Sequence, residues 1–332
     1  MKRQHVLVWA GLLMVSGSAA RASVVEVAGG YSQVAAKWGD NLMGFNEHLS
    51  LDFDNTAFTR VEGTLCEKKL GLSAGVNVDL DNNEVGEVNR ITGYLGLKKT
   101  YLRVQTGRLR GVASWDGALG TGQTDTVAFD NTFNHVDLLY WLQPKKMRTP
   151  LYFGLGYTSL KMPVEMQTMT TPGKKENQVL GTPVFDPDFQ GRFYDLLFGF
   201  DTFASSMLYE DSMEAKMKVK GFGIFFATED RAGLGQIRVG KDALAAASQL
   251  NGNRQPVDDK LFSGWIEYNV SMGLSWTGRL GQGRLSLGAG YEFMGATAVS
   301  FGGGASSPTE VGLDPRAELM RYGPVLRAYV RW

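Results

Sequence analysis

Apolar and polar residues alternate along long stretches of this chain. From Leu70 to Leu80, Leu70, Leu72, Ala74, Val76, Val78 and Leu80 share one parity, and Gly71, Ser73, Gly75, Asn77 and Asp79 the other. From Phe262 to Trp276, Phe262, Ile266, Tyr268, Val270, Met272, Leu274 and Trp276 alternate with Ser263, Glu267, Asn269, Ser271 and Ser275, with aromatics near both ends. Successive side chains of a strand point to opposite faces, so a period of two predicts strands with one apolar and one polar face. Ten further stretches complete a set of twelve: 24–36, 50–66, 88–97, 100–110, 135–143, 151–160, 191–203, 217–227, 284–296 and 322–332. Asp54-Asn55-Thr56 is a possible turn inside 50–66. Leu49, Leu51, Phe53, Ala57, Val61 and Leu65 keep one parity through it, however, so the stretch is read as one strand.

Runs this long exceed ordinary globular strands and suit a tilted wall that crosses a bilayer. No stretch is long and apolar enough for a spanning helix. Lipid supplies no hydrogen-bond partners, so wall strands that cross it must close into a barrel. The expected fold is therefore all-β: a transmembrane antiparallel up-and-down barrel of about twelve strands, with ten or fourteen as the other counts and a secreted β-sandwich as the soluble alternative. With twelve strands the connections sort into long ones (37–49, 81–87, 111–134, 161–190, 228–261, 297–317) and shorter ones (67–69, 98–99, 144–150, 204–216, 277–283). A count of fourteen would split 50–66 in two and add a strand at Gln236 to Gly240.

The last stretch, Tyr322 to Trp332, puts Leu326, Ala328, Val330 and Trp332 on one face and Arg327, Tyr329 and Arg331 on the other. This ending resembles the C-terminal signature of Gram-negative outer-membrane β-barrel proteins, a strand of alternating apolar residues with a terminal aromatic. The resemblance implies that these four apolar positions are read by the barrel assembly machinery and that the strand closes the barrel against the first one. Pro324 departs from the pattern and cannot donate to a ladder, so regular pairing is expected mainly after it.

Lys2 and Arg3, an apolar run from Val6 to Val15, and Ala20-Arg21-Ala22 read as a signal peptide over 1–22, which leaves one domain over 23–332. The full chain has 34 basic and 34 acidic residues; losing Lys2, Arg3 and Arg21 leaves a nearly neutral protein with no bulk field for nucleic acid. A single cysteine, Cys66, excludes a disulfide framework within the chain. Glycine is abundant, 42 of 332 residues, which fits curved barrel walls.

Function must then come from the inner face and the loops. Parity places Arg60, Glu62, Asn77, Asp79, Arg90, Tyr94, Arg103, Gln105, Asp137, Asp195, Asp201, Glu267, Asn269, Arg284, Glu292, Arg327 and Arg331 inward. Such mixed charges either line a water-filled path or pair into a polar plug. Arg284, Arg327 and Arg331 read as a basic cluster near the seam that would favour anions. The Gly-rich and Trp115-Asp116-Gly117 segments of 111–134 read as an outer loop, with an inward-folding constriction as the alternative, and Asp242 to Leu250 has helical composition.

Only two histidines follow the signal segment. His48 and His135 lack the surroundings of a barrel lipase or protease, and a pairing of His135 with Asp137 on one face reads as structural. No cluster of metal ligands and no phosphate-binding loop is present, so neither cofactor nor metal is expected. The expectation is a porin-like outer-membrane channel for passive diffusion of small polar or charged solutes, in contact with outer-membrane lipid. A plugged structural or surface-recognition barrel is the alternative, and a barrel enzyme the third reading.

Overall fold

In a computed structural model the described residues are 22–38, 49–67, 72–82, 86–116, 124–142, 151–168, 188–202, 221–239, 260–281, 283–301 and 317–331. They form twelve strands: β1 (Ala22–Trp38), β2 (Leu49–Glu67), β3 (Leu72–Asn82), β4 (Gly86–Leu97), β5 (Thr100–Asp116), β6 (Thr124–Leu142), β7 (Leu151–Thr168), β8 (Asp188–Asp201), β9 (Gly221–Val239), β10 (Lys260–Leu280), β11 (Gly283–Ser300) and β12 (Ala317–Arg331). Each strand pairs antiparallel with its neighbours in sequence, and β1 pairs with β12, so the sheet closes on itself. The fold is the transmembrane up-and-down barrel expected from the alternation, and β2 runs unbroken through Asp54-Asn55-Thr56. Following paired residues around the wall from Arg331 through Val24, Thr64, Gly75, Tyr94, Arg103, Asp137, Gly156, Asp195, Gly233, Trp265 and Ala298 returns to β12 at Ala317, fourteen residues from the start. That stagger for twelve strands corresponds to a tilt of about 40°.

Closure sorts the two parities. Outward go Leu95, Leu155, Tyr194, Leu196, Phe222, Ile224, Leu274 and Leu326, each well over half exposed and suited to acyl chains. Inward go buried polar and charged residues, among them Arg60, Asp79, Arg103, Asp137, Arg231, Glu292 and Arg321.

Several strands outrun their expected limits. β5 and β6 reach Asp116 and Thr124, so most of 111–134 is paired hairpin, with Trp115 opposite Asp125. β7 continues to Thr168, β8 begins at Asp188, and β11 continues to Ser300. Past the bilayer both faces of a strand meet water, so the apolar alternation fades while the backbone ladder continues. The largest correction concerns β9, which runs to Val239 where a loop from 228 was expected. The run Thr228-Glu229-Asp230-Arg231 hides the alternation, yet its backbone pairs on both sides with β8 and β10. β12 also begins earlier than expected. It pairs with β11 continuously through Pro324, which sits opposite Tyr291. On the β1 side pairing lapses only between Val325 and Tyr322, where Pro324 has no N–H to give.

Residues 1–21 of the expected signal peptide, His48, the stretch 242–250 and Trp332 lie outside the described residues.

Candidate functional site

Two ion-pair centres occupy opposite halves of the inner wall. In the first, the Asp79 carboxylate accepts from three arginines: Arg60 at 3.1 Å, Arg90 at 3.3 Å and Arg321 at 2.9 Å. Glu292 shares two of them, Arg60 at 2.7 Å and Arg321 at 3.0 Å. The guanidinium of Arg321 also lies 5.0 Å from the centre of the Phe58 ring, a cation–π contact. This centre, built by β2, β3, β4, β11 and β12, sets three arginines against two carboxylates.

In the second centre, Asp137 accepts from Arg231 on both carboxylate oxygens, at 2.8 and 2.9 Å, and from Arg103 on Oδ2 at 2.8 Å. Arg103 reaches across to Glu229 at 2.6 Å, and Arg231 reaches Asp195 at 3.0 Å and Glu267 at 3.4 Å. Four carboxylates here face two arginines, on β5, β6, β8, β9 and β10. The hydroxyl of Thr158 donates to Asp195 and lies 2.7 Å from His135 Nδ1. A hydroxyl that has given its hydrogen away accepts from the ring, so Nδ1 carries the imidazole hydrogen. His135 Nε2 then faces Glu267 Oε2 at 3.4 Å, and neither atom has a hydrogen-bond partner among the described residues.

A third pair ties distant strands: Arg327 of β12 donates to Glu26 of β1 at 2.7 Å and to Asp201 of β8 at 2.9 Å. Between these groups lies a cavity of about 160 Å³. Tyr94 lines it, donating to Glu62 at 2.6 Å, while Asn77 donates to the other oxygen of Glu62 at 2.9 Å. Tyr152 lines it too and donates to Glu229. Trp141 packs against Tyr152 with ring centres 4.8 Å apart. Both tyrosines lie over glycines of the next strand. A Cβ at Gly75 would collide with Tyr94, and one at Gly199 with Tyr152, so each glycine clears the space its neighbour's ring occupies.

Of the inward residues read from parity, Arg60, Glu62, Asp79, Arg103, Gln105, Asp137, Asp195, Glu292 and Arg327 are buried inside the barrel, while Asn77, Arg90, Asp201, Glu267 and Asn269 are partly buried. The proposed basic cluster separates into two parts. Arg284 and Arg331 are cross-strand neighbours, half-buried, at the barrel end where β12 finishes. Arg327 lies four residues along and is held by Glu26 and Asp201. Leu326, Ala328 and Val330 face outward as expected of the closing strand. The sequence reading missed Glu26, Glu229, Arg231 and Arg321. Glu26 alternates with Val25 and Val27 in β1, which was signal enough. Arg321 was lost by starting β12 after it, and Glu229 and Arg231 by treating 228–261 as a loop.

Solved outer-membrane barrels are similar to this one in shape. A Pseudomonas aeruginosa FadL homologue matches 94% of this chain and 90% of its own at 10% identity, with a TM-score of 0.42. The Pseudomonas putida toluene transporter TodX matches 93% and 90% at 9% identity, TM-score 0.34. The β domain of the Bordetella autotransporter BrkA matches 94% and 99% at 11% identity, TM-score 0.33. No protein-family model matches the sequence, nor does any curated protein. At such scores the likeness fixes neither register nor function.

Proposed function

We propose that this barrel is an outer-membrane channel for small polar solutes whose lumen is narrowed by its own ion pairs to a solute-sized chamber. It is not an open diffusion pore. The observation that carries this reading is a polar cavity lined by paired charges, set between an ion-pair centre rich in arginine and one rich in carboxylate. An ion of either sign is disfavoured there, because it meets one centre of like excess and must compete with existing pairs. Free passage is restricted because Arg103–Glu229 and Arg327–Asp201 each link strands four apart around the wall, so these side chains cross the lumen as chords.

The chords also support a second reading, a plugged barrel that acts through its outer loops. Buried arginine–carboxylate pairs of good geometry give way only when both partners find substitutes. Conductance of the folded protein in a planar bilayer separates the two. The channel reading expects small discrete steps that grow when Arg327→Gln and Asp201→Asn are combined. A folded wild type without steps, and a double variant equally silent, would establish the plug instead.

A further inference from the structure

We propose that the chamber is a binding site for a neutral, polyhydroxylated molecule of one six-membered ring, chemically a monosaccharide. The proposal deepens the channel reading and rests on it only in needing the solute to reach the lumen. Three observations carry it, the first of them size. A closed cavity of about 150 Å³ binds benzene, a bare six-membered ring; this chamber is about 160 Å³ and partly open, so one ring fits and its substituents have the opening to extend into.

Charge is the second. Arg60, Arg90, Arg103 and Arg327 all line the chamber, and each is already within 3.3 Å of a carboxylate. An anion would have to displace one of these carboxylates from a buried pair, and a cation would have to displace a guanidinium. Glu62 is likewise engaged, by Tyr94 and Asn77. The site thus selects against net charge in either direction.

The third is the character of the lining. Trp141, Tyr152 and Tyr94 all line the chamber and belong to one buried cluster, and aromatic rings are the side chains that pack on the C–H face of a saturated ring. Asn269, on β10 across the barrel from Tyr94, lines the chamber with an amide that makes no side-chain hydrogen bond among the described residues, while Gln105, on β5 beside the aromatics, accepts among them only from Thr92, at 3.4 Å. An amide offers both donor and acceptor, which is what a hydroxyl needs. Paired carboxylates with lone pairs to spare supply further acceptors. A purely apolar ring would leave the amides unsatisfied, so the combination calls for hydroxyls around a ring.

The test is titration of the full-length barrel, folded in detergent, followed by tryptophan fluorescence and by calorimetry. The probes are glucose, gluconate, glucosamine and cyclohexanol. Expected is saturable millimolar binding of glucose, with each of the other three at least tenfold weaker. Asn269→Leu should weaken glucose binding at least tenfold. Trp141→Phe should retain calorimetric binding but lose most of the fluorescence response. Folding of each variant is read from heat-modified gel mobility and circular dichroism, and if Asn269→Leu fails to fold, Asn269→Ser takes its place. Absence of saturable glucose binding would show a water-filled chamber and overturn the proposal. So would equal binding of gluconate or glucosamine, or binding indifferent to the Asn269 variants. Because binding is measured in detergent and conduction in a bilayer, a barrel that binds glucose but conducts nothing would refute the channel and leave the site standing. The converse would refute the site alone.

Discussion

The two ion-pair centres are built from the same chemistry and differ in how much spare charge surrounds their central carboxylate. Asp79 stands among three arginines with Glu292 as the only other acid in the centre, whereas Asp137 serves two arginines that also reach Glu229, Asp195 and Glu267. In a lumen, where lipid lies behind the wall and few waters reach the charges, a guanidinium without a carboxylate is costly. One centre is therefore short of negative charge and the other has a surplus. The same substitution should have unequal consequences on the two sides.

The largest effect is expected from Asp79→Ala. It removes the one carboxylate given to Arg90 and leaves Arg60 and Arg321 to share Glu292. Breaking a buried pair in this way costs about 3–5 kcal/mol. Asp137→Ala leaves Arg103 on Glu229 and Arg231 on Asp195, so its cost should be lower, about 1–3 kcal/mol. Equilibrium unfolding by guanidinium in lipid vesicles reads the difference. Equal destabilisation by the two variants would mean that the surplus carboxylates of the second half do not compensate.

The chamber between the centres can be challenged without touching a charge. Gly75→Ala and Gly199→Ala place a methyl where the rings of Tyr94 and Tyr152 now lie. Overpacking of this kind costs about 1–3 kcal/mol. If the rings yield by swinging inward, single-channel conductance falls as well. A Gly75→Ala barrel of wild-type stability would show that Tyr94 has another place to go.

How far these centres could be read from sequence follows the same division. In the first, Arg60, Asp79, Arg90 and Glu292 all sit in stretches where apolar neighbours at alternate positions betray the inward parity. Arg321 escaped because Pro324 was taken to stop the ladder, whereas only its pairing toward β1 lapses. In the second centre, Glu229 and Arg231 lie in Thr228-Glu229-Asp230-Arg231, where the outward residues are polar as well. Periodicity carries no signal there, and the neighbours that hold the strand are hydrogen-bonded backbones a loop away in sequence. The wall was legible because lipid demands alternation. The pairing across the lumen was not, since which arginine meets which carboxylate depends on strand tilt and stagger, and a single sequence states neither.

Within the second centre, Glu267→Gln should be tolerated or slightly stabilising, by up to about 1 kcal/mol. Its Oε2 faces both the ring Nε2 of His135 and Nε of Arg231 at 3.4 Å, the first contact having no hydrogen between two acceptors, and three other carboxylates remain for the arginines. An amide nitrogen there supplies the missing donor. The corresponding change in the first half, Glu292→Gln, removes an acceptor from two arginines that have one other carboxylate between them, and should destabilise by about 1–3 kcal/mol. Opposite signs for the two glutamines would confirm the imbalance; the same sign would remove it.

The smallest effect is expected at the end of the barrel where neither centre operates. Arg284 and Arg331 face one another across β11 and β12 and are only half-buried, within reach of water. Charges so placed contribute little to stability, and like charges directly opposite are mildly unfavourable. Arg284→Gln with Arg331→Gln should leave the unfolding free energy within about 0.5 kcal/mol of wild type. If the barrel conducts, the pair lies at its mouth, where charge acts on the local concentration of ions and leaves the chamber untouched. The double variant should then shift the reversal potential toward cations at low salt, and the shift should vanish at about 1 M salt as the Debye length falls to about 3 Å. A shift that persists at high salt would place the two arginines inside the selective region, and the constriction would have to be sought below the two centres.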